Sequence, residues 1–139
     1  MQSTYHILDH TADLRIRITG ANLSDLFKNA GLALFDLIAD TARVEADAVI
    51  EFTVGGSDSA DLLVNYLREM LFLWTGEEQL VKTIEILHIT NTAVSARATV
   101  GRYQPDRHQI VHEIKAVTYH QVDVSRTEQG WQARVIFDI

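Results

Sequence analysis

The order of hydrophobic periodicities along the chain is the feature that most restricts its fold. Apolar residues recur at intervals of three and four positions in two segments, residues 23–38 and 62–74, and this spacing predicts two amphipathic helices. The remaining apolar segments are extended in character. These predicted strands cover residues 14–19, 48–54, 81–89, 93–102, 114–124 and 131–139. Because the last four strands follow one another, the pattern favours an α+β domain, with two helices packed on a largely antiparallel or mixed β-sheet, over a doubly wound parallel fold.

Turn-forming residues and cysteine are scarce. The 139 residues include one proline and seven glycines, and no linker, repeat or low-complexity tract divides them, so we expect a single domain over residues 1–139. The chain contains no cysteine, which excludes disulfides, thiolate metal ligands and cysteine nucleophiles. No leader-like segment or apolar run of membrane length is present, so we expect a cytoplasmic protein.

The charge balance argues against a nucleic-acid-binding protein. The net charge is -7, from 19 acidic and 12 basic side chains, whereas phosphate backbones are bound through Lys and Arg. Gly55 and Gly56 lack the spacing and the lysine of a P-loop, which favours a turn or a helix cap. The aromatic residues lie on or near apolar stripes, which favours core positions over stacking on bases. They include Phe27, Phe35, Phe52, Phe72 and Trp74.

A polar cluster precedes the first predicted strand and includes His6, Asp9, His10 and Asp13. One interpretation is a solvated loop in which Asp9 or His10 caps a turn. The other is a carboxylate site, for which Asp13 is the best candidate because the strand that follows it would hold its backbone rigidly.

A second acidic group lies at the other end of the sequence. Asp138 and the α-carboxylate of Ile139 place two anions close together after the apolar residues 135–137, which indicates a packed strand. These groups are either water-screened at a frayed end or neutralised by a hard cation such as calcium, magnesium or manganese. Asp40 ends the first predicted helix, where its charge opposes the helix dipole, and this suggests another use for it.

The segment HEIKAVTYHQVDV, residues 112–124, adds a lysine and two more candidates on a predicted strand. Alternation places Lys115, Val117 and Tyr119 on one face and His120 on the other, mostly apolar face. His120 is therefore interpreted as a hydrogen-bonded core histidine, and Lys115 and Tyr119 as an exposed face.

Several of these segments, taken together, resemble one known family. The stretches DHTADLRIRITG, LSDLFKNAGLALFDLIAD, DLLVNYLREMLFLW, EIKAVTYHQVDV and ARVIFDI resemble archease in the same order and over essentially the whole chain. Each motif is modest alone, but the joint occurrence of DHTAD, KAVTYH and a final FDI in a chain of this length is specific.

The resemblance implies a fold and a function. The fold would be a sandwich related to the SHS2 module. The protein would be a cofactor of an RtcB-type RNA ligase rather than an enzyme, promoting guanylylation of the ligase, its repeated turnover in tRNA splicing or RNA repair, and its use of other nucleotides. Carried over residue by residue, the divalent metal ligands fall on Asp13, Asp138 and Ile139, the essential lysine on Lys115, and a further acidic position on Asp40.

Two other classes of function use the same residues. A small metal-dependent phosphoester hydrolase would activate water with these carboxylates, and a pure SHS2-type interaction module would hold a partner without changing its chemistry. We expect a monomer without a stable nucleic-acid or membrane contact, and we assign no function to the loop around Pro105.

Overall fold

The structure is a computed structural model that describes residues 4–10 and 13–139, except for the side chains of Asp9 and His10. Its helices and strands follow the predicted order, with one additional strand at the start. They are β1 (Tyr5–His10), β2 (Asp13–Gly20), α1 (Leu23–Ile38), a short 3₁₀-helix (Thr41–Arg43), β3 (Ala48–Gly55), α2 (Ser59–Thr75), β4 (Gln79–Ile89), β5 (Ala93–Arg102), β6 (Ala116–Thr127) and β7 (Gly130–Asp138).

The described strands form two antiparallel sheets instead of one. The first has the order β1-β2-β7-β6 and the second the order β3-β5-β4. Helix α1 contacts β2 and β4, and α2 contacts β6 and β3, so each helix packs against both sheets. The α+β class with two helices on antiparallel strands is confirmed. No helix in the described ranges is long and apolar enough to cross a membrane.

Alternation in β2 separates a buried face from an outer face. Leu14, Ile16 and Ile18 are fully buried and face Phe137, Val135 and Ala133 of β7 across the sheet. The residues between them in β2 therefore lie on the face turned away from the helices, which we call the outer face. This register confirms the period-two interpretation of residues 14–19.

Local capping explains where the two helices begin. The side chain of Asn22 accepts a hydrogen bond from the backbone N–H of Asp25 at 2.8 Å, and Asp58 does the same for Asp61 at 2.8 Å. Such caps satisfy backbone donors that have no partner within the helix. Helix α1 ends at Ile38, two residues before Asp40, so the prediction that Asp40 ends this helix is wrong.

One of the two interpretations of the N-terminal polar cluster, a solvated loop, is wrong for residues 6–10. The backbone of His6, Asp9 and His10 belongs to β1, which pairs with β2. Edge strands need no continuous apolar face, so periodicity does not detect this one. Residues 11 and 12 of the DHTAD motif lie outside the described residues.

A tyrosine attaches β1 to the first helix. The hydroxyl of Tyr5 donates a hydrogen bond to the Asp36 carboxylate. Burial, together with this bond and the charge of Asp36, raises the pKa of Tyr5 from 10.0 to about 12. The folded state thus holds the phenol proton more tightly than the unfolded state does, and this stabilisation is lost as the pH rises from 10 towards 12.

Strand β6 departs from the predicted alternation. Val117 is buried at 1% exposure and Tyr119 and His120 are exposed, so the interpretation of His120 as a core histidine is wrong. The reason is a bulge: Thr118 pairs with Ile136 and Asp123 with Arg134, so residues 119–122 face a single residue of β7. Phe72 is also an exception among the predicted core aromatics, with 53% exposure.

Candidate functional site

Two of the predicted site residues meet at one corner of the four-stranded sheet. Asp13 is the first residue of β2 and Asp138 the last residue of β7, and they are paired across the two strands. Directly opposite residues of an antiparallel pair have their Cβ atoms about 4.5–5.5 Å apart and point to the same face. Residues separated by most of the chain therefore form a neighbouring pair of carboxylates.

Lys115 and Ile139 lie at the same corner. The backbone N–H of Lys115 donates to the carbonyl oxygen of Asp138 at 2.8 Å, directly before Ala116 pairs with Asp138. The Lys115 side chain is exposed. Ile139 is partly buried against the core next to the fully buried Phe137. The corner is thus fixed by a packed strand end.

The charges at the corner are only partly compensated. Arg15 Nε lies 3.3 Å from Asp13 Oδ1, and the side chains are 38% and 27% exposed. Among the described side chains, none forms an ion pair with the Asp138 carboxylate. Like charges placed directly opposite each other destabilise a sheet, so this pair leaves a negative site facing solvent.

The donor atoms at the corner suit a hard cation. Among the side chains that the structure describes, which exclude those of Asp9 and His10, no three from His, Cys, Asp or Glu are grouped as a metal site. Asp13 and Asp138 alone supply two carboxylates, and the carboxylate of Ile139, the residue after Asp138, would be the third. These donors are all oxygens, which fits calcium, magnesium or manganese. The metal assignment stays a prediction.

Asp40 occupies a different place. Its carboxylate accepts a hydrogen bond from the backbone N–H of Ala42 at 3.1 Å and caps the 3₁₀-helix. It borders a groove of ≈ 550 Å³ formed with Arg43 and the segment 103–111. No described contact joins Asp40 to Asp13 or Asp138, and its assignment as a further activating position stays a prediction.

Comparison with known proteins identifies the family. The sequence model of the Archease protein family (MTH1598/TM1083) matches residues 5–139. The chain belongs to the archease family. The "Protein archease" of Methanosarcina acetivorans is 35% identical over 139 residues, with 97% of this chain and 95% of the relative covered. That of Pyrococcus abyssi is 34% identical over 136 residues, with 94% and 95% covered.

A solved archease-family fold agrees with the structure. The solution structure of Methanobacterium thermoautotrophicum protein 1598 superposes with a TM-score of 0.81 at 28% sequence identity. The match covers 99% of this chain and 100% of that chain. The resemblance inferred from the sequence motifs is therefore confirmed, together with its fold.

Sequence reasoning missed one polar cluster in this archease-family domain. The Tyr119 hydroxyl hydrogen-bonds to Asp61 Oδ1 at 2.9 Å and to Asn65 Oδ1 at 3.0 Å, and the Arg68 guanidinium lies 4.4 Å from the centre of the Tyr119 ring. Arg68 Nε also donates to the carbonyl oxygen of Val117 at 3.1 Å. We call Tyr119, Asp61, Asn65 and Arg68 the Tyr119 cluster. It attaches the β6 bulge to α2.

The bulge also contacts the corner of the sheet that holds Asp13 and Asp138, which we call the acidic corner. Gln121 has a left-handed backbone, with φ of 54°, and its side-chain oxygen accepts a hydrogen bond from Arg15 Nη1 at 3.3 Å. Arg15 also pairs with Asp13. Polar contacts of the bulge thus form an arrangement that attaches it to α2 through Tyr119 and to the corner through Gln121. No period-two or period-3.6 pattern could have revealed it, because it depends on a local break in the strand.

Replacing Tyr119 by Phe is expected to loosen the bulge while leaving the fold intact. The ring keeps its contact with Arg68, but both hydroxyl bonds are lost, so amides of residues 119–122 should exchange with solvent several-fold faster. The pKa of Asp61 is lowered from 3.8, first by the backbone N–H of Ser57 and then by Tyr119. In the variant, this pKa should rise only part of the way back. The amide exchange rates and the pKa of Asp61 are both measurable by NMR.

The matched control is Tyr103→Phe, since no hydrogen bond of the Tyr103 hydroxyl to the described residues is present. Unchanged exchange at the bulge in Tyr119→Phe, or equal changes in both variants, would contradict the role of the cluster. The lowered pKa of Asp61 also determines how its contribution to stability depends on pH. A lowered pKa of Asp61 means that its contribution is present above 3.8 and is lost as the pH falls through the lowered value.

Proposed function

We propose that this archease-family protein activates an RtcB-type RNA ligase by promoting guanylylation of the ligase and its repeated turnover. The observation that carries the proposal is the cross-strand pair of Asp13 and Asp138, with Lys115 bonded to the same strand end. Family membership over residues 5–139 supports it, because these positions carry the motifs of the resemblance. The ligase would act in tRNA splicing or RNA repair in the cytoplasm.

The acidic corner is suited to act on a partner. Asp13 is 27% exposed and both Asp138 and the Lys115 side chain face solvent. A partner can therefore reach these groups without any opening of the core. We propose that the corner docks at the ligase active site, where Lys115 contacts the partner or balances charge.

The proposed metal ligands are Asp13, Asp138 and the carboxylate of Ile139. A divalent ion bound by them would supply positive charge for phosphate oxygens of the reacting nucleotide. The protein itself holds the two aspartates on adjacent strands, and Arg15 restrains the first of them. In this proposal the chain positions groups for a reaction that occurs on the ligase, including its use of nucleotides other than GTP.

The test uses purified ligase with and without this protein. Labelled GTP reports covalent guanylylation, and excess RNA with a 3′-phosphate or 2′,3′-cyclic phosphate and a 5′-hydroxyl reports turnover. We expect the protein to increase guanylylation and to convert a single round of ligation into many. Unchanged guanylylation and turnover would reject the proposal.

The same reagents separate the two alternatives. A metal-dependent hydrolase, suggested by the same pair of carboxylates, would release phosphate from a phosphoester in the absence of the ligase. A pure interaction module would bind the ligase and leave both rates unchanged. The three functions therefore give three different results.

A further inference from the structure

The outer face of the four-stranded sheet has a cleft that is not part of the proposed metal site. It measures ≈ 390 Å³ and is bordered by Leu8, Arg15, Gln121 and Arg134, with Ile136 among its apolar lining residues. Leu8 is 46% exposed and Ile136 is 5% exposed. We call this the outer-face cleft. It combines the apolar side chains of Leu8 and Ile136 with the guanidinium groups of Arg15 and Arg134.

Arg134 lines this cleft, and Arg17 lies next to it, outside the cleft. Arg17 and Arg134 are directly opposite each other on β2 and β7. Within the described part of the chain, neither forms an ion pair. A cross-strand pair of like charges is unfavourable for the sheet. Asp123 of β6 is opposite Arg134 on the side away from Arg17, and it forms no ion pair with Arg134. An anion placed between Arg17 and Arg134 would remove their repulsion, so the pair is a candidate site for a negatively charged ligand.

The surroundings favour a carboxylate side chain over a nucleic acid strand. Asp13, Asp138 and Asp123 lie on the same face, next to the arginines, and the whole chain carries a net charge of -7. These charges would repel an extended polyanion. A glutamate, by contrast, has an aliphatic stem that can cover Leu8 and Ile136 and a carboxylate that matches the fork of an arginine.

The composition of the cleft is also that of a protein interface. Arginine is enriched at such interfaces and in their energetically dominant positions, particularly beside apolar groups that exclude water. Here an exposed leucine on an edge strand adjoins Arg15 and Arg134. Arg15 already pairs with Asp13 and Gln121, which leaves Arg134 and its neighbour Arg17 for the partner.

We propose that the outer-face cleft docks an acidic, glutamate-bearing segment of a partner protein through Arg17 and Arg134. The identity of that partner rests on the function proposed above, in which it is the ligase. Docking here would bring the acidic corner to the partner, because Arg15 borders both the cleft and Asp13. The cleft would then set affinity, and the corner would set the effect on the reaction.

The experiment compares the double variant Arg17→Gln, Arg134→Gln with Arg102→Gln. Arg102 is an exposed arginine on the other sheet, and it has no ion pair among the described side chains. We expect the double variant to bind the ligase about 10–100-fold more weakly, mainly through slower association, and to lose much of the salt dependence of binding. Arg102→Gln should bind like the wild type. At saturating concentrations of the double variant, stimulation of the ligase should return to the wild-type level.

Equal affinity of the double variant and the wild type would overturn the docking inference while leaving the proposed function intact. A wild-type protein that does not stimulate the ligase would instead reject the proposed function. The inference is then decided by NMR of this protein alone, with two probes: a short peptide that carries a single glutamate between uncharged residues, and a single-stranded RNA. Shifts of Leu8, Ile136 and Arg134 signals with the peptide support it, and shifts with RNA alone, or with neither probe, overturn it.

Discussion

Replacing Asp138 by Asn is expected to abolish stimulation of the ligase and to make the protein slightly more stable. The substitution keeps the size of the side chain and removes one of two facing carboxylates. Relief of cross-strand repulsion is worth about 0.2–1 kcal/mol, which corresponds to a rise in melting temperature of a few degrees at most. Turnover of the ligase should fall by at least about tenfold, since even indirect supports of a metal site carry effects of that size.

Asp13→Asn separates the two effects. It removes the same repulsion but also the contact with Arg15, so we expect the same loss of stimulation with no gain in melting temperature. Glu128→Gln is the control, because it changes the charge equally in the turn at the far end of β6 and β7. An Asp138→Asn protein that stimulates fully would contradict the proposed site.

A direct measurement of metal binding completes this prediction. Calcium, magnesium and manganese, tested separately, should raise the melting temperature of the wild type more than that of Asp138→Asn, because an ion that binds only the folded state stabilises it. Adding one glycine after Ile139 converts its carboxylate into an amide and should have the same effect as Asp138→Asn. Equal stabilisation of all three proteins would exclude the corner as the metal site.

Replacing Phe137 by Ala is expected to have the largest effect on stability. Phe137 is fully buried and lies between Leu14 of β2 and Val117 of β6, which are also buried. Truncation of a large core aromatic costs about 3–5 kcal/mol, because the removed ring leaves a cavity. For a chain of this size the melting temperature should fall by about 10–20 °C. Chemical denaturation with two spectroscopic probes measures the free energy of unfolding.

Phe72→Ala provides the matched comparison, since this ring is 53% exposed on α2. It should cost less than about 1 kcal/mol, in the range of ordinary surface substitutions. If Phe137→Ala destabilised the protein no more than Phe72→Ala, the packing around the C-terminal end of β7 would be different from that described. A loss of ligase stimulation in Phe137→Ala is interpretable only below its melting temperature.

The sequence predicted the elements best where one side of the element is buried. Helices α1 and α2 and the strand β2 have strong periodicity because the core requires it. The edge strand β1 has little such requirement, and its polar residues resemble a loop. The β6 bulge was missed for a related reason, since alternation assumes a regular ladder, and residues 119–122 leave it.

For the candidate site, the sequence likewise indicates individual residues, whereas their contacts depend on how distant segments pair. Asp13 and Asp138 were candidates from the sequence pattern itself, and the family resemblance added Lys115 and grouped the two aspartates with Ile139 as metal ligands. Their proximity depends on the antiparallel register of β2 with β7, which pairs Asp13 with Asp138 and which no local pattern specifies. The Tyr119 cluster and the unpaired arginines depend on side-chain packing between elements, so they could be recognised only in the structure.

The position of β7 in the sheet has a consequence for biosynthesis. This strand is the last to be made of those described, yet it lies between β2 and β6. Until β7 has been made, β2 and β6 therefore each have an open edge, and the sheet is completed only by pairing between residues that are far apart in the sequence. The acidic corner is formed by the same pairing, so a nascent protein cannot present it to a partner before β7 has joined the sheet.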